Sequence, residues 1–225
     1  MAEPKKVFYE KQAATIIKNL AKRKMQGFYC DDVEAAKKKL VEILSEGADA
    51  NGAEKAGKCA KKSVGYGGSM TLDQNGFKTA VAEAGFELIV RENYKSPAEV
   101  KECNAKLVNA DAFLMSTNAI TLDGQLVNID GRGNRVSFLI YGPESVIVVA
   151  GMNKVVSNVE DGIRRVRNIA TPPNCVRLGC KTPCAETGKC GECFNDSICC
   201  EFVVTRMSRV PNRIKVILVG EELGY

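Results

Sequence analysis

A run of six residues, Ser145-Val-Ile-Val-Val-Ala150, constrains the fold more than any other stretch. Apolar and polar side chains alternate in a strand with one wet face, whereas an unbroken apolar run this short marks a strand covered on both faces. Such strands belong to parallel sheets sandwiched by helices, and the chain from Lys62 onward supplies the alternation a parallel sheet requires. Ser63-Val64-Gly65 reads as a strand ending in a glycine turn, with helix from Thr71 to Gly85 and a strand at Phe86–Val90. Ser96-Pro97-Ala98-Glu99 is a capping box with proline in the first helical position, opening a helix to about Asn109. Ala112–Met115 and Gln125–Ile129 are predicted strands, and Asn134–Tyr141 a short helix. Val159–Ile169 is a predicted helix that Thr171-Pro172-Pro173 should end. The last two strands, Glu201–Arg206 and Arg213–Val219, lie close enough in sequence to pair antiparallel at an edge.

Before Lys62 the pattern is helical. Pro4 suits a first turn, Ala13, Ile16, Ile17 and Leu20 form one stripe, and Gly27 reads as the stop. Asp31 or Asp32 caps a second helix to Ser45, and residues 47–58 are a small-residue connector. The expectation is a single α/β domain over residues 1–225, mostly parallel, with helices on both faces. Residues 1–48 are its N-terminal helical segment, and residues 175–200 a cysteine-rich loop within it. A chain of 225 residues buries about 70% of its surface, so its core needs no staple.

Composition then removes whole classes of function. The chain has no histidine, which excludes Ser-His-Asp triads, Cys-His dyads and His-ligated catalytic zinc. Acid–base work falls to Asp, Glu, Lys, Tyr, Cys or a cofactor. The net charge of +5 is mild, and the basic runs Lys22–Lys24, Lys37–Lys39 and Arg164–Arg167 read as solvated helix faces, not a nucleic-acid surface. No apolar run approaches the roughly 18 residues of a membrane span, and no export signal opens the chain. Ten cysteines in such a chain point to a reducing, cytoplasmic setting.

Two glycine loops carry the candidate ligand site. In Ser63-Val-Gly-Tyr-Gly-Gly-Ser-Met-Thr71, a strand enters Gly67-Gly68-Ser69 and leaves as a helix, so backbone N–H groups and the hydroxyls of Ser69 and Thr71 suit an anion. A tight strand-to-helix turn is the alternative reading, and neither the Rossmann nor the Walker spacing is present. The second loop group runs from Ser116 through Asn118 and Asp123-Gly124 to Asp130-Gly-Arg132-Gly-Asn134-Arg135. In an open α/β sheet, segments after strands line the ligand crevice. Asp123-Gly124 reads equally as a hairpin turn. Lys154, closing the most buried strand, is a further candidate for the same crevice, or a solubilising strand end.

Seven of the ten cysteines fall between Cys175 and Cys200, a stretch read as loop. Cys190-x2-Cys193 is a chelating pair, with Cys184 six residues before it and Cys199 six after. That density suits zinc or an iron–sulfur cluster, while free or disulfide-bonded thiols are the plainer reading.

With these residues in view the chain resembles the lactate-utilisation (LUD-domain) family, in its short, stand-alone or C-subunit-like members. The words that carry the resemblance are GYGGSMTL at 65–72, STNAITLDGQLVNIDGRGNRV at 116–136, VAGMNKVV at 149–156, KTPCAETGKCGEC at 181–193 and the closing RIKVILVGEELGY. The resemblance implies a fold related to ribose-phosphate isomerase and CoA transferases. It also implies a place in an iron–sulfur complex that oxidises L-lactate to pyruvate with partner subunits, and Cys184, Cys190, Cys193 and Cys199 as the ligands. On this reading Gly67, Gly68, Ser69 and Thr71 cradle a small anionic substrate, Arg132 or Arg135 pairs its charge, and Asp130 is the catalytic base or orienter. The runner-up is a small-anion or phosphorylated-ligand-binding regulatory protein with a structural zinc and no catalysis.

Overall fold

The computed structural model describes residues 3–46 and 62–225; the connector expected at 47–58 and Cys59 lie outside them. Ten strands follow in chain order: β1 (Gln26–Cys30), β2 (Ser63–Tyr66), β3 (Glu87–Leu88), β4 (Ala112–Met115), β5 (Ala119–Thr121), β6 (Leu126–Asp130), β7 (Ser145–Gly151), β8 (Val155–Val156), β9 (Glu201–Thr205) and β10 (Ile214–Val219). Among the described residues they form two sheets. The larger, in the order β1-β10-β7-β4-β2-β3, is parallel at every pairing; the smaller has the order β8-β5-β6-β9.

The strand β7 explains the layering. Its residues alternate between two apolar cores, Val146, Val148 and Ala150 in one and Ile147 and Val149 in the other. On the first side pack α1 (Pro4–Lys22) through Ala13, Ile16 and Leu20, and α5 (Pro97–Val108) through Cys103 and Leu107. On the other side lie α2 (Val33–Glu46) through Leu40, Ile43 and Leu44, with α3 (Met70–Gln74) and α4 (Phe77–Glu83). Helices therefore cover both faces of a mostly parallel sheet, as expected from the apolar run. The capping box forms: Ser96 Oγ accepts from Glu99 N–H, and the Glu99 carboxylate accepts from Ser96 N–H at 2.7 Å.

Several local expectations change. Gly27 does not merely stop a helix: α1 ends at Lys22, Lys24 turns the chain with φ of 57°, and Gln26–Cys30 becomes an edge strand beside β10. The N-terminal segment is thus part of the sheet. The helix expected at 71–85 is broken at Gly76, which sits in the left-handed region. The last two strands do not pair with each other. The strand β10 is buried along nearly its whole length and takes a central place, while β9 exposes Phe202 and Val204 and pairs antiparallel with β6. Pro172 and Pro173 do not end the helical path. After α7 (Val159–Arg165) the chain widens into a π-turn at Val166–Ala170 and continues as α8 (Thr171–Leu178). Proline lacks an N–H but is accepted in the opening positions of a helix, and the widened turn makes Thr171 such an opening. The cysteine stretch is correspondingly part helix: Cys175 lies on α8, and Cys184 on a short helix, Pro183–Thr187.

Candidate functional site

Three neighbouring parallel strands, β2, β4 and β7, deliver their carboxyl ends to one place, and β6 of the smaller sheet brings a fourth segment. Between them lies a cavity of about 440 Å³. Gly68, Ser69 and Thr71 come from the turn after β2, Ser116 to Asn118 from the end of β4, and Lys154 from the turn after β7. Asp130, Arg132, Asn134 and Arg135 come from the end of β6 and the helix α6 (Asn134–Ile140). The backbone N–H groups of Gly68 and Ser69 have no acceptor among the described residues. Of the site residues expected from sequence, this cavity gathers Gly68, Ser69, Thr71, Asn118, Asp130, Arg132, Asn134, Arg135 and Lys154. Gly67 stands behind it: a Cβ there would meet Arg135 Cγ at 2.9 Å, so its missing side chain lets the arginine stem pack close.

Charge is the cavity's main property. Arg132, Arg135, Lys154 and Arg177 line it against one acidic side chain, Asp130, with Tyr225 also on the wall. Arg135 is buried and its guanidinium is held by the protein: it donates to Ser116 O at 3.2 Å, Asn118 Oδ1 at 2.8 Å and Ile129 O at 3.1 Å. Behind the cavity the buried Arg165 donates to Asn153 O at 3.0 Å and Asn118 O at 2.7 Å. Burial pushes both arginines below their usual range. Lys154 is 4% exposed and meets no carboxylate; its Nζ donates to Thr71 Oγ1 at 2.8 Å and Ser116 Oγ at 3.0 Å. Burial first, then the cationic Arg165 and Arg135, push its pKa down to about 7. Buried cations this short of carboxylate partners are an anion site by elementary electrostatics.

Two roles expected from sequence are recast by geometry. Asp130 Oδ2 accepts from the N–H groups of Arg135 at 3.1 Å and Val136 at 3.3 Å, while Oδ1 stands 3.8 Å from Arg135 Nε. Its carboxylate thus caps the first turn of α6 and faces Arg135, so both of its oxygens are directed at the protein's own groups. Asp123 takes no part in the cavity. It sits in the β5–β6 hairpin turn beside Gly124, whose φ is 85°, and pairs with Arg23 at 2.6 Å. The turn reading of Asp123-Gly124 is the one realised.

The cysteines form a second cavity. Cys184, Cys190, Cys193 and Cys199 all line a space of about 270 Å³, with Cys175 as a fifth thiol; Cys180 and Cys200 do not line it. Among the described residues no three His, Cys, Asp or Glu side chains close to metal-ligating separation. Four thiols around one cavity are nonetheless the donor set that a thiophilic metal or an iron–sulfur cluster takes. Burial raises the Cys175 thiol to about 12 and also raises Cys199, so each keeps its proton until a cation displaces it. The loop is closed on itself by Lys181 N–H, which donates to Asp196 Oδ2 at 2.7 Å, and tied to the body by Cys200 N–H, which donates to Asp130 O at 3.0 Å. Thr171 and Ile198 line both cavities, so the two share a wall. The Cys199 thiol donates to Thr171 Oγ1 at 3.6 Å across it.

Sequence reading missed Arg165, Arg167 and Thr171, and named Ser116 only as the start of the second loop group. The two arginines lie in the run read as a solvated face, yet Arg165 is buried and Arg167 Nε donates to Cys190 Sγ at 3.3 Å. The available signal was spacing: Arg165 follows Gly162 by three residues and adjoins Val166, on the buried side of the helix.

Comparison with known proteins agrees with this arrangement at the level of family. No curated protein matches the sequence. Among solved structures, a DUF162 family protein from Deinococcus radiodurans aligns over 95% of this chain and 98% of its own, at 15% identity and a TM-score of 0.47. The eIF2B beta of Chaetomium thermophilum aligns over 56% of this chain and 44% of its own, at 10% identity and a TM-score of 0.31. The LUD domain profile matches residues 13–219, which takes in the second half of α1, both sheets and the cysteine loop. The chain belongs to the LUD-domain family.

Proposed function

We propose that this protein is a lactate-utilisation component that binds L-lactate in the cationic cavity and takes part in its oxidation to pyruvate, with electrons leaving through the cysteine loop to partner subunits. The observation that carries this reading is the wall of Thr171 and Ile198 common to the two cavities. A substrate cavity one residue from a ring of thiols has no evident use in a protein that only binds an anion.

The chain's own residues supply binding and proton transfer. The substrate carboxylate lies among the N–H groups of Gly68 and Ser69 and the guanidinium of Arg132, which has no carboxylate partner among the described residues. Arg135, with its donors already engaged, contributes charge rather than a fork. Lys154, with a pKa near neutrality, takes up the hydroxyl proton of the bound hydroxy acid. Asp130 keeps Arg135 in place. An iron–sulfur cluster on Cys184, Cys190, Cys193 and Cys199 would supply one-electron transfer.

Protein purified without oxygen tests this. The expected result is iron with acid-labile sulfide, broad absorption near about 400 nm, and a calorimetric signal for L-lactate that Arg132→Ala weakens. Colourless protein with one zinc that still binds small anions would support a ligand-binding role without catalysis.

A further inference from the structure

The hydrogen bonds around Lys154 fix more than its charge. Thr71 Oγ1 donates its only proton to Leu223 O at 3.2 Å, and Ser116 Oγ donates its own to Thr117 O at 3.3 Å. Each hydroxyl must therefore accept from the lysine, which holds two of the amine's N–H bonds. The remaining tetrahedral position of Nζ faces neither hydroxyl. In the neutral amine it carries the lone pair, and Lys154 lines the cavity. An amine so placed, within a site built for carboxylates, faces whatever group a bound acid carries at its second carbon.

We infer that Lys154 is a nucleophile and that the cavity captures 2-oxo acids as imines on its Nζ. The inference rests on the reading of the cavity as a site for small carboxylates, and extends it to a covalent step. The Nζ lone pair forms a C–N bond to the keto carbon, and the carbonyl oxygen takes up in turn the two protons that the amine nitrogen releases. Loss of that oxygen as water then leaves a C=N bond, with no net oxidation or reduction. Thr71 and Ser116, which accept from Nζ, hold the amine with its remaining position open to the keto carbon. Burial first, then Arg165 and Arg135, disfavour a further positive charge on this nitrogen and so favour the neutral amine. In lactate oxidation the ketone would be the product, so capture would make occupancy of the site follow the concentration of 2-oxo acid.

The test uses the full chain with pyruvate and cyanoborohydride, which reduces an imine to a stable secondary amine, followed by peptide mass mapping. The expected result is one carboxyethyl group in place of an amine hydrogen on Lys154, in preference to the many exposed lysines. Labelling should remain strong down to about pH 7, where ordinary lysines, with pKa values about 10.4, are protonated. Lys154→Arg, which keeps a cation, should lose the adduct. Calorimetry with pyruvate on the same preparations separates the two layers of the argument. Pyruvate that binds without labelling Lys154, or that labels surface lysines equally, overturns the nucleophile and leaves the carboxylate site standing. Pyruvate that neither binds nor labels overturns both.

Discussion

Asp130 and Lys154 each make a distinct prediction. The Asp130 carboxylate caps α6 and faces the buried Arg135. Asp130→Asn keeps one acceptor oxygen but removes that charge, so we expect a loss of about 1–3 kcal/mol in denaturant unfolding, with L-lactate binding retained. Unchanged stability with abolished turnover would restore Asp130 as the base. For Lys154 the sign is set by linkage. Its folded pKa, about 7, lies below the unfolded value of about 10.4. Between those two values the unfolded chain binds the extra proton, so this residue makes stability rise with pH and imposes its full penalty below about 7. The unfolding free energy of the wild type, taken relative to Lys154→Met, should therefore climb between about pH 7 and pH 10; a flat difference contradicts the depressed pKa. Both residues were legible in sequence as members of a crevice, because each follows a strand. What they do there was not, since the Asp130 bonds to the backbone of α6 and the bonds that hold the Lys154 amine exist only after folding.

At the scale of elements, α7 matters most, because it carries Arg165 behind the cavity while resting on β6. Its contact is made possible by Gly162, where a Cβ would meet Val127 Cγ2 at 2.9 Å. Gly162→Ala should push the helix outward, cost about 1–3 kcal/mol of stability and weaken anion binding as Arg165 leaves Asn118 O and Asn153 O. Unaltered binding would show that Arg165 contributes nothing to the site. Elements with a complete local signal were readable: the capping box opens α5 at the expected residue, and Ala112–Met115 is a strand with the expected bounds. Elements decided by tertiary partners were not. The strand β1 exists because β10 offers it an edge, and the path through Pro172-Pro173 stays helical because a π-turn absorbs the missing donors.

At the scale of the molecule, the larger sheet sets the carboxylate site and the smaller one brings the thiols to it. The strand β9 pairs with β6 from Asp130↔Glu201 to Leu126↔Thr205, so the chain leaving the cysteine loop is stitched to the strand that ends in the Asp130–Arg135 segment. In sequence the cysteine loop lies far from both glycine loops, at 63–71 and 130–135, and no local pattern announces that they meet. They meet at Thr171 and Ile198, and under the function we propose that wall is where substrate binding would join electron transfer. The most direct test is the visible spectrum of the anaerobically purified protein during titration with L-lactate. The account predicts absorption near about 400 nm that changes saturably as the neighbouring cavity fills. A colourless protein, or a cluster spectrum indifferent to bound L-lactate, would contradict it.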